Sequence, residues 1–300
     1  MVPSKFGIHH YRLYFFRKFT RMIKLSTIVS PQGLKNKIGL DDHITLLGSC
    51  FVDNIASHLY EAGFNIQSNP LGTLYNPASI ASTIEILDAT SVFEEKDCIQ
   101  IGAGSNKICS FNHHTSFARD TMEEFLSNAN STLHSAREEW RKSTFVIITL
   151  GTAYVWMHNG KIVNNCLKRP AYEFEHRLLS LDEVKTCIKS IINTHPEKRF
   201  IFTISPIRHL GEGARANTIS KSLLHIALSE CEVEYFPAYE ILLDELRDYR
   251  FYAEDLVHPS KIAIDIIWER FQDYAMKIDE RQRIAQNEKN AKSSKHVRRI

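Results

Sequence analysis

No apolar run in this 300-residue chain comes near the roughly 20 residues a helix needs to cross a bilayer. The longest, such as residues 145–148, are a handful, so no membrane span is expected. The chain has six cysteines, at 50, 98, 109, 166, 187 and 231, but no Cys-x-x-Cys pair and no His/Cys cluster at zinc spacing. Neither a structural metal nor a disulfide framework is expected, and reduced thiols in a cytoplasmic protein are. A secretory h-region is lacking too, because Arg12 and Arg17 break the apolar character of the first twenty residues. Acid is absent from residues 1–40, which hold eight Lys/Arg, while residues 277–300 hold eight against three. With a net charge of +2 overall, the body between them carries about −11. An acidic body argues against a nucleic-acid partner, which needs clustered cations on the folded surface.

What is present is ordinary globular composition, 43% apolar and 24% charged. The basic ends, residues 1–24 and 277–300, read as a solvated N-terminal extension and C-terminal tail. Met22 is an alternative start. Residues 25–276 show no linker, composition break or internal repeat, and read as one domain.

Within that span strands and helices alternate. Residues 44–48 (ITLLG) form a short buried strand, and a helix from Asp53 stops at Gly63. Residues 64–66 are a second strand. Asn76-Pro77 caps a helix reaching about Leu87. Residues 98–111 suggest a hairpin, 120–142 a long helix, 145–150 (FVIITL) the strongest strand, and Asn159-Gly160 a tight turn. Ser180 and Glu183 make a capping box, 200–204 is another buried strand, and helices near 217–230 and 261–276 flank a short strand at 233–236. Such alternation implies a mainly parallel sheet with helices on both faces and ligands at the carboxyl ends of its strands.

Two segments carry chemistry. Gly48-Ser49-Cys50 lies where the first strand turns into a helix, a position that presents a hydroxyl near the positive helix end. Cys50 is the stronger nucleophile by chemistry, yet its side chain is expected to turn away from that of Ser49 into the packed layers; a thiol-dependent transferase is the weakest of three functional readings. Asp255-Leu-Val-His258 places a carboxylate three residues before an imidazole, the spacing of a base and the group that orients it. Arg208 and His209, after a central strand, fall at the same sheet edge; His209 is a substrate contact or a second candidate base. His113 and His114 are adjacent and face different ways, so no metal is assigned.

The stretches 48–52 (GSCFV), 69–77 (NPLGTLYNP), 149–156 (TLGTAYVW), 205–209 (SPIRH) and 245–259 (ELRDYRFYAEDLVHP) resemble the GSCFA family, with Val52 in place of its final Ala. That family is similar to the SGNH/GDSL hydrolases, and the resemblance implies a flavodoxin-like, three-layer α/β/α fold. It further implies a serine esterase acting on acyl esters without a cofactor: Ser49 as nucleophile, His258 as base, Asp255 as orienter, and Gly72 with the Ser49 amide as oxyanion donors. Relatives of that fold suggest a glycan ester, O-acylated carbohydrate, as substrate. The wider group places an Asn where this chain has Ala153, so Asn69, Asn76 or Asn165 is expected to stand in, with Asn69, Asn76, Arg208 and His209 as substrate contacts. The missing amide favours the rival reading, a non-catalytic protein that binds a glycan or acylated ligand in the same pocket.

Overall fold

The computed structural model describes residues 26–297; the expected N-terminal extension and the alternative start at Met22 lie outside the described residues. In chain order the elements are β1 (His43–Gly48), α1 (Phe51–Ala62), β2 (Asn65–Ser68), α2 (Pro77–Asp88), β3 (Ile99–Gln100), β4 (Ile108–Cys109), α3 (Met122–Lys142) and β5 (Phe145–Leu150). They continue with β6 (Tyr154–His158), β7 (Lys161–Val163), β8 (Glu175–Leu178), α4 (Leu181–Thr194), β9 (Arg199–Ile204), α5 (Ala214–Glu230), β10 (Glu234–Tyr235), α6 (Lys261–Ala275) and α7 (Arg281–Val297).

Five strands form one parallel sheet in the order β10-β9-β5-β1-β2. Ranked by position in the chain this is 2-1-3-4-5, the flavodoxin-like doubly wound order, whose reversal point lies between β1 and β5. Strand alternation divides the core into two layers. Val146 and Ile148 face α2, α3, α4 and α5, whereas Phe145 and Ile147 face α1 and α6. Both faces being covered explains why FVIITL reads as an unbroken apolar run, every residue of it buried. Each large side chain so buried contributes about 1.5–3 kcal/mol. The fold is therefore the expected three-layer α/β/α sandwich.

Local signals act as their chemistry dictates. Asn76 accepts from the Ser79 amide at 2.8 Å ahead of Pro77, and Ser180 and Glu183 bond each other's backbone to open α4. Asn159 and Gly160 both take positive φ (49° and 75°) in the β6–β7 turn, which pairs His158 with Lys161.

One expectation is corrected. The basic C-terminal segment is not a solvated tail over residues 281–297 but a helix laid on the sandwich. Ile284 is buried against the α1/α6 layer, Asn287 donates to the Ala62 carbonyl, and Glu288 accepts from Trp268 and Gln272 at 2.8 and 2.9 Å. Asn287 and Glu288 follow Ile284 by three and four residues, so all three share one helical face; the cations on the other positions hid it from a reading of net charge.

Candidate active site

The site forms where β1 ends beside β5. The Ser49 amide donates to the Thr149 carbonyl at 3.2 Å, closing the Gly48–Thr149 pair with which β1 ends. Ser49 is 0% exposed and its Oγ has no hydrogen-bond partner. Cys50 is the first residue clear of the sheet, with helical φ/ψ of −56° and −15°, capping α1. Cys50 is half-buried and packs against the α1/α6 layer, as expected of it, whereas the Ser49 hydroxyl is buried rather than presented to solvent.

His258 arrives on a loop closed by a bridge between Tyr252 and Pro259 and by the Ala253 amide donating to the His258 carbonyl at 2.8 Å. Asp255 folds back along this loop. One carboxylate oxygen accepts from the Val257 and His258 amides, both at 2.9 Å, and the other meets His258 Nδ1 at 2.6 Å. Those two amides and the imidazole hold the Asp255 carboxyl down to about 2. With Nδ1 so engaged, Nε2 points at Cys50 Sγ, 3.6 Å away. Asp255, His258 and Cys50 are therefore joined by successive side-chain contacts, while Ser49 Oγ makes no hydrogen bond.

Burial pushes the Cys50 thiol up, with Asp53 adding to the effect, while the amides of Cys50 and Phe51 at the start of α1 pull the other way. Of the two amides expected as oxyanion donors, that of Ser49 is engaged with Thr149 and that of Gly72 with the Asn69 carbonyl at 2.8 Å. Gly72 has a separate reason to be glycine, since at φ +113° a Cβ would stand 2.3 Å from His114 Cβ. Among the three asparagines considered, Asn76 caps α2 and Asn165 accepts from the Leu167 amide. Asn69 differs: its Oδ1 accepts from the Gly48 amide at 2.9 Å, which turns its Nδ2, buried and without a partner, toward the first turn of α1 and Asp53.

His209 sits edge-on to Tyr75, and burial, the Lys221 ammonium and His258 together press it down to about 3, so it stays a neutral ring whose Nε2 is buried and unpartnered. Arg208 is tied to the loop that carries His258 twice, through its amide to Val257 O and its guanidinium to Leu256 O, both at 3.1 Å. It lines a cavity of about 170 Å³ with Leu242, Leu243 and Tyr252. His113 bonds Ser110 inside the core and His114 bonds Ser116 at the surface, so the two rings face apart as expected. Sequence reasoning passed over Lys221, whose signal is its place on the apolar stripe of α5, three and seven residues before Leu224 and Leu228.

Comparison with curated proteins gives no match. Among solved structures, a psychrotrophic esterase from Pseudoalteromonas sp. is 12% identical with a TM-score of 0.38, covering 78% of this chain and 96% of its own. An acetylxylan esterase from Geobacillus stearothermophilus is 12% identical with a TM-score of 0.40, covering 79% and 95%. A family 3 carbohydrate esterase from Clostridium thermocellum is 12% identical with a TM-score of 0.37, covering 77% and 93%. The profile of the GSCFA family matches residues 43–271, a span that holds every strand of the sheet and both segments of the site, so this chain belongs to the GSCFA family.

Proposed function

We propose that this protein is an acyl hydrolase that uses a thiol, with Cys50 as nucleophile, His258 as general base and acid, and Asp255 as the group that orients His258. The observation that carries the reading is the Cys50 Sγ to His258 Nε2 contact of 3.6 Å on an imidazole whose other nitrogen is held by Asp255. It replaces the expected Ser49, whose hydroxyl is buried without a partner.

Because burial raises the thiol, Cys50 rests protonated, and its proton passes to His258 Nε2 as Sγ attacks the ester carbonyl carbon. The C–S bond forms as the carbonyl π bond opens, and the resulting oxyanion is stabilised by the Cys50 amide at the N-terminus of α1 and by Asn69 Nδ2. Collapse expels the alkoxide, which takes the proton from His258 and leaves a thioester on Cys50. Water then gives a proton to His258 and a hydroxyl to the acyl carbon. The thiolate leaves and is reprotonated. Arg208 and Tyr252, beside the loop that carries His258, contact the departing alcohol in the cavity they line.

A panel of short-chain p-nitrophenyl esters, with an O-acetylated sugar included, tests the reading against the Ser49→Ala and Cys50→Ala variants. Turnover is expected to vanish in Cys50→Ala and to persist in Ser49→Ala, with iodoacetamide modifying Cys50 and abolishing activity. Turnover retained in Cys50→Ala and lost in Ser49→Ala overturns it and restores the serine.

A further inference from the structure

Charges around the cavity beside the His258 loop do not cancel. Arg208, Arg247, Asp248 and Tyr252 line it, together with Tyr249 and two leucines. Asp248 is already taken up by Arg250, whose Nε lies 3.0 Å and whose amide lies 2.9 Å from one carboxylate oxygen. Arg247 has a loose partner in Asp244 at 3.7 Å, both side chains being more than half exposed. Arg208 has none, since no carboxylate stands within 4.0 Å of its guanidinium among the described residues. The bond from this half-buried guanidinium to the Leu256 carbonyl meets one of its five N–H groups, and its central carbon stands 5.8 Å from the centre of the Tyr252 ring.

The chain around the cavity is also held in uncommon geometry. Residues Ile241–Leu246 form a π-helical turn, closed by the Arg247 amide donating to the Leu242 carbonyl five residues back at 3.0 Å, and Arg247 itself sits at φ +29°. Wide turns of this kind, and residues with a Cβ at positive φ, are rare and gather at functional sites. A connection with no duty beyond turning the chain would place Gly or Asn at that φ. Here an arginine takes it, on the wall of a cavity that already holds an unpaired guanidinium.

We infer that this cavity receives an oxyanion, a carboxylate or a phosphate, carried by the alcohol half of the ester, with Arg208 as its main partner and Arg247 as its second. The inference rests on the reading that places the departing alcohol here, and narrows that alcohol to an anionic one. A planar guanidinium offers parallel N–H groups to such an oxyanion and makes shorter, stronger bonds to it than to a neutral hydroxyl. The two ties from Arg208 to Val257 and Leu256 fix that anchor against the loop bearing His258, the group that protonates the departing oxygen. The anion therefore sets where the scissile bond lies relative to the imidazole.

The test compares three acetyl esters of one methyl glycoside that differ in a single substituent: hydroxymethyl, carboxylate or phosphomethyl. kcat and KM are measured for the full-length wild type, Arg208→Met, Arg208→Lys and Arg247→Met. In wild type at least one anionic ester is expected to exceed the neutral one by about tenfold in kcat/KM, mainly through KM, and added salt is expected to erode the preference. Whichever anion is preferred identifies the group. Replacing Arg208 also loosens the His258 loop and lowers every rate, but the ratio of anionic to neutral ester cancels that loss. The ratio is expected to fall to about one in Arg208→Met, to be kept in part by Arg208→Lys, and to fall less in Arg247→Met. Equal kcat/KM for all three esters in wild type, or a ratio unchanged in Arg208→Met, overturns the inference and leaves the nucleophile reading standing. Turnover that survives Cys50→Ala overturns that reading instead, and the ratio is unaffected by it. If Arg208→Met does not fold, a ratio indifferent both to salt and to Arg247→Met overturns the inference. If wild type hydrolyses none of the three, isothermal titration with the deacylated glycosides decides, and equal affinity for charged and neutral forms refutes the anion site.

Discussion

Replacing Gly48 by alanine strikes the hinge on which the site turns. At φ +144° the residue occupies backbone space that side chains rarely take, and its Cβ would stand 2.2 Å from the Thr149 carbonyl oxygen and 2.9 Å from the Thr149 C and N atoms. Ordinary contact is about 3.5 Å, so a gap of about 1.3 Å must open. Thr149 cannot yield, because it pairs with Gly48 on one side and with Thr203 on the other in the middle of the sheet. The end of β1 must move instead, which loosens the Ser49 amide from Thr149, the Gly48 amide from Asn69 and the Leu74 amide from Gly48. The left-handed strain costs about 1–2 kcal/mol and the overpacking about 1–3 kcal/mol, together about 2–5 kcal/mol. At about 2–4 °C per kcal/mol for a chain of this size, the thermal midpoint should fall by about 4–20 °C. Gly160→Ala is the control: its φ of +75° imposes strain, yet nothing lies within 4 Å of the added Cβ, so its loss should be about 1–2 kcal/mol. Differential scanning calorimetry gives the stability and iodoacetamide labelling gives the reactivity of Cys50, which should fall in Gly48→Ala alone. Equal midpoints for the two variants, with Cys50 labelling unchanged, would refute the claim that Thr149 forces a glycine here.

Other consequences are as direct. Asp255→Asn should lower kcat by about 10²–10⁴-fold with KM little changed, because the imidazole loses both its orientation and its counter-charge. The Asp255 carboxyl at about 2 lies below its ordinary 3.8, so its hold on His258 is complete above about pH 4 and fades only as pH falls through the range between those values. An acid limb of the pH–rate profile centred above about pH 5 must therefore belong to another group, and one that vanishes in Asp255→Asn contradicts the assignment. Asn69→Ala should cost about 10²–10³ in kcat by removing an oxyanion donor, and an unchanged kcat removes it from the site. Asn76→Ala should cost about 1 kcal/mol, or about 2–4 °C, by uncapping α2, while Cys50 alkylation stays as in wild type.

Most of the sandwich was legible because its signals are local. The apolar runs of β1, β5 and β9, the capping box of α4, the Asn76-Pro77 start of α2 and the Asn-Gly turn each depend on neighbours a few residues away. The small sheet β6-β7-β8 was half legible, since β8 (EHRL) has no apolar alternation and becomes a strand only by pairing Arg177 with Val155 and His176 with Trp156. Helix α7 was missed for a related reason. Its partners, Ala62, Trp268 and Gln272, are far off in sequence, and its own composition is that of a solvated basic segment. Lys221 went unremarked because a cation inside an amphipathic pattern reads as surface until the opposite side of its helix is known to be covered.

Both segments of the candidate site were legible, but the choice of nucleophile within Gly-Ser-Cys, on which the chemistry turns, was not. Gly-Ser-Cys offers two adjacent nucleophiles, and periodicity cannot say which one reaches solvent, since that depends on the residue at which the chain leaves the sheet. The deciding bond runs from the Ser49 amide to Thr149, a partner a hundred residues away. It closes the last pair of β1, after which Ser49 lies fully buried and Cys50 begins the helix. The remaining groups agree with a thiol at that position. An imidazole 3.6 Å away suits the longer reach of sulfur, and two helix-start amides lie beside Sγ. Under the proposed reading the His258 Nε2 contact and the Asn69 amide serve one thiol, whereas a Ser49 nucleophile would start from a buried hydroxyl with no hydrogen-bond partner to take its proton.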